Sequence, residues 1–387
     1  MDAMSHLSDI TQEEFEDRLS KAQRLLKDQN LDAFFLTECE NINYMTGYIE
    51  ALPWEGVKNR VWILIVSKEK APVFIFPEIN RQMAKSSTWF DDLRGYSGLS
   101  DADQLIRKTI TDLGLTGGRI GAELGPFTRI SMPASMLLNL VKTANAEFVD
   151  GSDAIWKMRM VKSKSEIDRM RVAAQATSRG LDRAFEEIKE GMTEREFCRI
   201  ISLRIIEEGA DSPQAVICQS GEKFRKRISG GFPSDLRIRK GSYVQVDLGA
   251  FYRHYTSDMN RVAFFGGQPS MKEMDDYALY AEANKRGTEA LRPGVSCGDV
   301  HKAIHSVFEE AGIQGKRESV GHGIGLEVHE PPHITISDNT SLQAGMVLAI
   351  EPSHIPGVTN FNCEDDVAVT ETGHERLSTM SRELRII

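Results

Sequence analysis

The sequence predicts an α+β protein of two domains, a smaller α/β unit over residues 1–155 and a larger unit over residues 156–387. Three observations carry that prediction. The chain has 387 residues, more than one hydrophobic core usually supports. Its first 150 residues alternate continuously apolar runs with amphipathic stretches of helical spacing. From Ser163 onward, helices opened by capping boxes are followed by β-forming runs in which single acidic residues interrupt an apolar pattern.

In the first unit, Thr11 starts a helix with Phe15, Leu19, Ala22, Leu25 and Leu26 on one face. Leu31–Leu36, Val61–Val66 and Pro72–Phe76 are β-forming runs of the length and continuity that fit strands covered on both faces. Residues 102–113 and 133–141 read as helices on either side of a strand at 119–123. A boundary is expected over 150–163. There Ser163 and Glu166 form a capping box, with the Glu placed to close back on the Ser. Its helix carries Ile167, Met170, Ala174, Leu181, Ala184 and Ile188 and stops at Gly191. Thr193 and Glu196 repeat the device ahead of Phe197, Ile200, Leu203 and Ile206. Helices at 271–290 and 299–311, the second capped by Ser296, alternate with strands at 244–248, 260–265, 346–351 and 363–370. This order predicts long helices on one face of a mostly antiparallel sheet. No segment repeats another by residue identity.

Composition removes several function classes. The net charge of −10 argues against nucleic acid or an anionic membrane as the main partner. No apolar run is long enough to span a bilayer, and the acidic N-terminal stretch has no apolar h-region, so a cytoplasmic protein is expected. Five scattered cysteines without a CxxC pair indicate neither a disulfide framework nor a thiolate zinc site.

The chemistry lies with the acids. In Val244–Leu248 the apolar residues 244, 246 and 248 face one way and Asp247 the other. A carboxylate there is costly to bury unless something positive neutralises it. Asp258 follows 11 residues later across a hairpin that would bring the two acids together. Glu351 ends one apolar run and Glu364 begins another, and His322 lies between the pairs among glycines 321, 323 and 325. Four carboxylates and one imidazole are ligands enough for two divalent ions, with Mn²⁺, Fe²⁺, Co²⁺ or Zn²⁺ favoured by the donor set. Two such ions ~4 Å apart activate water and steady an oxyanion.

These residues resemble the M24 superfamily of methionine aminopeptidase, prolidase and creatinase, with its pita-bread fold. The similarity rests on Val246–Ala250, Ser257–Asp258 with Arg261, Gly321–Gly325, His329–Pro331, Gly345–Met346 through Glu351–Pro352, and Glu364–Asp365 with Val369–Thr370. Asn43–Gly47 is similar to the smaller creatinase-like N-terminal domain of that family. The resemblance implies a C-terminal catalytic domain in which Asp258 and Glu364 bridge two metals. Asp247 completes one of them, and His322 with Glu351 completes the other. It further implies that His329 contacts the scissile amide and that Glu351 shuttles a proton.

Two positions depart from the family. The His expected shortly before Pro233–Asp235 is absent, with Ser229–Gly231 in its place and no histidine between His6 and His254. The Arg that prolidases often carry two residues before the second ligand Glu is Asn362. Candidate substrate contacts are Trp54 and Arg60, which lie where a second subunit's N-terminal domain contributes in such homodimers, together with His254 and His333. The resemblance implies a dipeptide or small-molecule substrate. Hydrolysis of an Xaa-Pro dipeptide, as in prolidase or aminopeptidase P, is the first reading. The second keeps the metal and takes a small zwitterion, as do ectoine hydrolase, creatinase and dimethylsulfoniopropionate lyase. A non-catalytic interaction protein is the third, and the retained acids oppose it, because clustered carboxylates without a cation destabilise a fold.

Overall fold

The computed structural model describes residues 10–49, 60–225 and 232–387. The chain forms two compact units, Met1–Arg159 and Met160–Ile387.

The first unit runs α1 (Gln12–Asp28), β1 (Ala33–Leu36), α2 (Cys39–Thr46), β2 (Ile63–Ser67), β3 (Val73–Pro77), α3 (Arg81–Ser87), β4 (Leu93–Tyr96), α4 (Leu99–Asp112), β5 (Arg119–Ala122), α5 (Ala134–Thr143), β6 (Glu147–Asp150) and α6 (Ser152–Arg159). Its strands form one sheet in the order β4-β3-β2-β1-β5-β6, with β1 parallel to β5 and antiparallel to β2. Thr11 Oγ1 accepts the Glu14 N–H and caps α1. The strands β1, β2 and β3 are buried along their whole length, as their continuous apolar runs require. The entry of α2 was not legible in the sequence, because its cap comes from far away. Glu123, at the end of β5, accepts the N–H groups of Thr37 (2.8 Å) and Glu38 (3.1 Å) and the Asn41 amide (2.8 Å).

The second unit contains the same arrangement twice. The helices α7 (Lys164–Glu187) and α8 (Glu194–Glu207) are followed by β7 (Ser212–Ser220), the short α9 (Gly221–Arg225), β8 (Ser242–Tyr252), β9 (Tyr255–Thr256) and β10 (Met259–Phe265). Then α10 (Met271–Ala290) and α11 (Cys297–Glu310) are followed by β11 (Ser319–Gly323), β12 (Glu330–Thr335), β13 (Val347–Ile350), β14 (Asp365–Val369), β15 (His374–Arg376) and β16 (Arg385–Ile386). The antiparallel trio β7-β8-β10 in one sheet matches the trio β11-β13-β14 in the other. The expected single sheet is therefore two sheets. They meet at an antiparallel bridge between Asn260 and Glu364, where the Glu364 N–H donates to the Asn260 carbonyl at 3.2 Å. The α+β class holds. The repeat escaped the sequence because the halves share element order and spacing, not residue identity.

Both expected capping boxes form, at Ser163–Glu166 and Thr193–Glu196, and Ser270–Glu273 adds a third at the head of α10. Each is worth about 1 kcal/mol to its helix. The helix pairs also cross by one device. A Cβ on Gly180 of α7 would sit 2.8 Å from Ile205 Cα of α8, and one on Gly287 of α10 would sit 2.5 Å from Ile304 Cγ1 of α11. Alanine is the better helix former by about 1 kcal/mol, yet at Gly180 the Ile205 backbone stands in its way, and at Gly287 the packed side chains of Ile304 and Ile350 do. Gly180→Ala is therefore expected to destabilise the protein by about 2 kcal/mol in urea unfolding, opposite in sign to the helix-propensity effect.

Candidate metal centre

The centre is built where the two strand trios meet. On β8, Val244, Val246 and Leu248 are fully buried against residues of α7 and α8 such as Ala184 and Ile201, so alternation turns Asp247 to the other face. The chain reverses after Tyr252 through Arg253 (φ 48°) and His254 (φ 69°), a two-residue turn with both residues left-handed. It returns in register with Leu248 opposite Met259, which leaves Asp258 just before β10. In the second sheet Glu351 follows the last residue of β13 and Glu364 precedes the first of β14. His322 comes from the middle of β11, paired with Ala349 on β13.

The five side chains converge. His322 Nδ1 lies 3.0 Å from the Gly323 carbonyl and donates to it, which points the bare Nε2 inward. That nitrogen is buried without a hydrogen-bond partner among the described residues, 3.8 Å from Asp258 Oδ2, 3.9 Å from Glu351 Oε1 and 4.0 Å from Glu364 Oε1. Burial and the neighbouring His329 push the His322 pKa down to about 3, so the ring is neutral and offers no compensating charge. Burial pushes Asp247 up to about 6. It raises Glu351 to about 7 even though the Arg317 charge pulls it down. Burial first, and then the other acids, hold Asp258 and Glu364 well above the ordinary carboxylate range.

A lone pair facing four crowded carboxylates is an arrangement that a cation relieves. The donors form three overlapping groups, each within 4.8 Å: Asp247, Asp258 and Glu364; His322, Glu351 and Glu364; and Asp258, His322 and the rim residue His329. Oxygen donors with one imidazole suit Mn²⁺, Fe²⁺, Co²⁺ or Zn²⁺. The residues therefore fit divalent metal.

A supporting layer fixes these ligands. The Asp258 N–H donates to Asp366 Oδ2 (2.9 Å). Arg261, fully buried, donates to the Glu364 carbonyl (2.6 Å) and to Asp365 Oδ1 (2.5 Å). The Asn284 amide reaches from α10 to the carbonyls of Ile350 (2.6 Å) and Cys363 (3.0 Å), the residues just ahead of Glu351 and Glu364. Asp366 and Asn284 were missed in the sequence. Asp366 left a weak signal as the third acid of Glu364-Asp365-Asp366. Asn284 left none, since its partners are 66 and 79 residues away.

The remaining candidates separate. His329 is exposed at the rim, with its ring stacked on His322 at 3.8 Å and 19°. His333 on β12 pairs across the strands with His322. His254 sits exposed at the tip of the β8–β9 turn, where Asp211 and Arg169 bear on it. Arg60 belongs to the first unit, and its charge acts on the Tyr96 phenol. Trp54 and the Ser229–Gly231 segment lie outside the described residues. Asn362 is buried opposite Ser353, and its amide oxygen receives no donor from the described residues. Among the described residues, no helix is long and apolar enough to cross a membrane.

Residues 168–371 match the model of metallopeptidase family M24, and residues 18–161 match that of the creatinase/prolidase N-terminal domain. An Xaa-Pro dipeptidase of Pyrococcus furiosus is 32% identical, over 95% of this chain and 99% of its own. An Xaa-Pro dipeptidase structure from Bacillus anthracis superposes with a TM-score of 0.85 at 26% identity, covering 96% of this chain and 100% of that one. For the prolidase of Pyrococcus horikoshii the values are 0.81 and 30%, covering 95% and 99%.

Proposed function

The chain belongs to metallopeptidase family M24, and on that premise we propose that it is a dinuclear metal hydrolase cleaving Xaa-Pro dipeptides. The observation that carries this reading is the convergence of Asp247, Asp258, His322, Glu351 and Glu364 around the unpartnered His322 Nε2. It occurs in a chain related over nearly its full length to an Xaa-Pro dipeptidase. Asp258 and Glu364 would hold both ions, Asp247 would complete one site, and His322 with Glu351 would complete the other. When bound, two such ions acidify water and polarise an amide carbonyl.

The chain's own residues supply the positioning and the proton traffic. Glu351, whose carboxylate lies among the ligands and within reach of the Ser353 hydroxyl, would take the proton of the attacking water and pass it to the departing amine. His329, held at the rim by stacking on His322, offers a ring N–H to the oxygen of the tetrahedral intermediate. Asp366 and Asn284 hold the backbone that carries the acids, so little reorganisation is needed. The same reading makes the working form a cytoplasmic homodimer, and sedimentation measures its mass.

Protein loaded with Mn²⁺ or Co²⁺ is expected to release proline from a panel of Xaa-Pro dipeptides and to stop when EDTA is added. Metal-loaded protein that turns over none of the panel would overturn the dipeptide assignment. Turnover of ectoine or creatine instead would move the substrate to a small zwitterion.

A further inference from the structure

Arg317 brings a guanidinium to the edge of the metal centre and leaves much of it unused. The residue stands two positions before β11, and its place is fixed at both ends. Its backbone carbonyl lies 3.0 Å from His301 Nε2 and 3.1 Å from His305 Nε2, two buried imidazoles one turn apart on α11. At the other end, Nη1 donates to the Ser353 carbonyl (3.3 Å) and to Ser353 Oγ. That hydroxyl in turn lies 3.5 Å from Glu351 Oε2. The guanidinium is therefore one hydroxyl away from a candidate metal ligand. Its Nε and Nη2 donate to nothing among the described residues, and the side chain is only half-buried.

Neighbouring cations are already committed. Arg261 donates through Nε to Ser381, through Nη1 to Asn260 and Glu364, and through Nη2 to Asp365 and Met380. Lys162 is sealed in a buried pair with Glu330 at 3.0 Å. Ser353, the residue that Arg317 grips, bridges directly to Asn362 on the adjacent strand. Arg317 thus delivers positive charge, from across the strand, next to the position where the sequence departs from the prolidase pattern.

We propose that Arg317 is the carboxylate anchor of the substrate, its free Nε and Nη2 taking the C-terminal carboxylate of an Xaa-Pro dipeptide. This rests on the dipeptide reading above. The carboxylate of such a substrate is borne by the carbon attached to the scissile nitrogen, so it must lie close to Glu351 when the amide is at the metals. Nε and Nη2 form the edge of an arginine that meets a carboxylate with two parallel hydrogen bonds. An ammonium cannot reproduce that fork. The anchor would select dipeptides over longer chains, whose amide at this position carries no charge.

The test compares Ala-Pro with its C-terminal amide in the metal-loaded wild type, in Arg317→Met and in Arg317→Lys. Wild type is expected to favour the free acid by about 30-fold in kcat/KM, chiefly through KM, the size of a charge-assisted pair of hydrogen bonds. Arg317→Met is expected to bring that ratio near unity, the free acid losing about 30-fold more than the amide, and Arg317→Lys to fall between. Ser353→Ala, which frees the guanidinium, is expected to lower the ratio without abolishing it. Retention of the ratio in Arg317→Met, or an equal loss for both substrates, would overturn the anchor while the dipeptide reading stands. Wild type that cleaves neither substrate fails the dipeptide reading and the anchor with it.

Discussion

Glu364→Gln is expected to lower kcat/KM on Xaa-Pro dipeptides by roughly 10³-fold, equivalent to about 4 kcal/mol of transition-state stabilisation. The residue belongs to two of the ligand groups, one with Asp247 and Asp258 and one with His322 and Glu351. Glutamine keeps the shape and removes the charge, so both metal positions lose affinity together. The supporting layer gives the scale from below, since partners of ligands alone are commonly worth roughly 10–100-fold in metal affinity. Stability discriminates this role from a structural one. Without metal, Glu364 is a buried acid crowded by Asp258, Glu351 and Asp247. The metal-free Gln variant is therefore expected to unfold at a higher temperature than the metal-free wild type. A merely structural acid would show the reverse, with stability and activity falling together in a thermal scan.

The stability that the buried acids give the metal-free protein is expected to fall as pH rises from 4 to 8, and metal is expected to reverse that contribution. Asp247 and Glu351 have ordinary values of 3.8 and 4.5 and are raised by burial to about 6 and about 7 in the fold. Across that window these acids bind more protons in the native state than in the unfolded chain, so their contribution falls with pH, while the lowered His322 contributes the opposite trend below pH 6.5. The contribution is complete below the unfolded values and is lost as pH passes through the folded ones, a change on the order of several kcal/mol. Divalent ions take the place of those protons and bind more tightly as the acids ionise. The difference in melting temperature between Mn²⁺-loaded and EDTA-treated protein is thus expected to grow with pH, to about 10 °C at pH 8. Scanning fluorimetry at pH 5 and pH 8, with and without metal, reads both trends. A gap that is constant with pH would remove the buried acids from the explanation.

Much of the centre was legible because it violates a local rule. Asp247 sits in a strand whose other residues are apolar, and Glu351 and Glu364 border similar runs, so each asks for a neutralising partner. The helices of the second unit were legible from Ser163–Glu166 and Thr193–Glu196, because a capping box is a contact within four residues. The strand β7 was not, since it mixes Ser212, Pro213 and Gln214 with its apolar residues and pairs through a register shift between Pro213 and Val216. The division into two bridged sheets depends on the Asn260–Glu364 contact, which no local pattern announces. His254 shows the limit in the other direction. Its chemistry suited a pocket, but the tight turn it helps to form holds it exposed at the tip. Arg317 reads in sequence as an ordinary charged loop residue between Lys316 and Glu318. It acquires meaning only when α11, Ser353 and Glu351 are brought around it.

The central claim is that these five residues hold two divalent ions. Diffraction from Mn²⁺-soaked crystals, recorded with anomalous signal from the metal, tests it most directly. Two anomalous peaks are expected, both touching Asp258 and Glu364, one completed by Asp247 and the other by His322 and Glu351. Fully loaded crystals without a peak among these side chains, or with metal bound only elsewhere, would contradict the account.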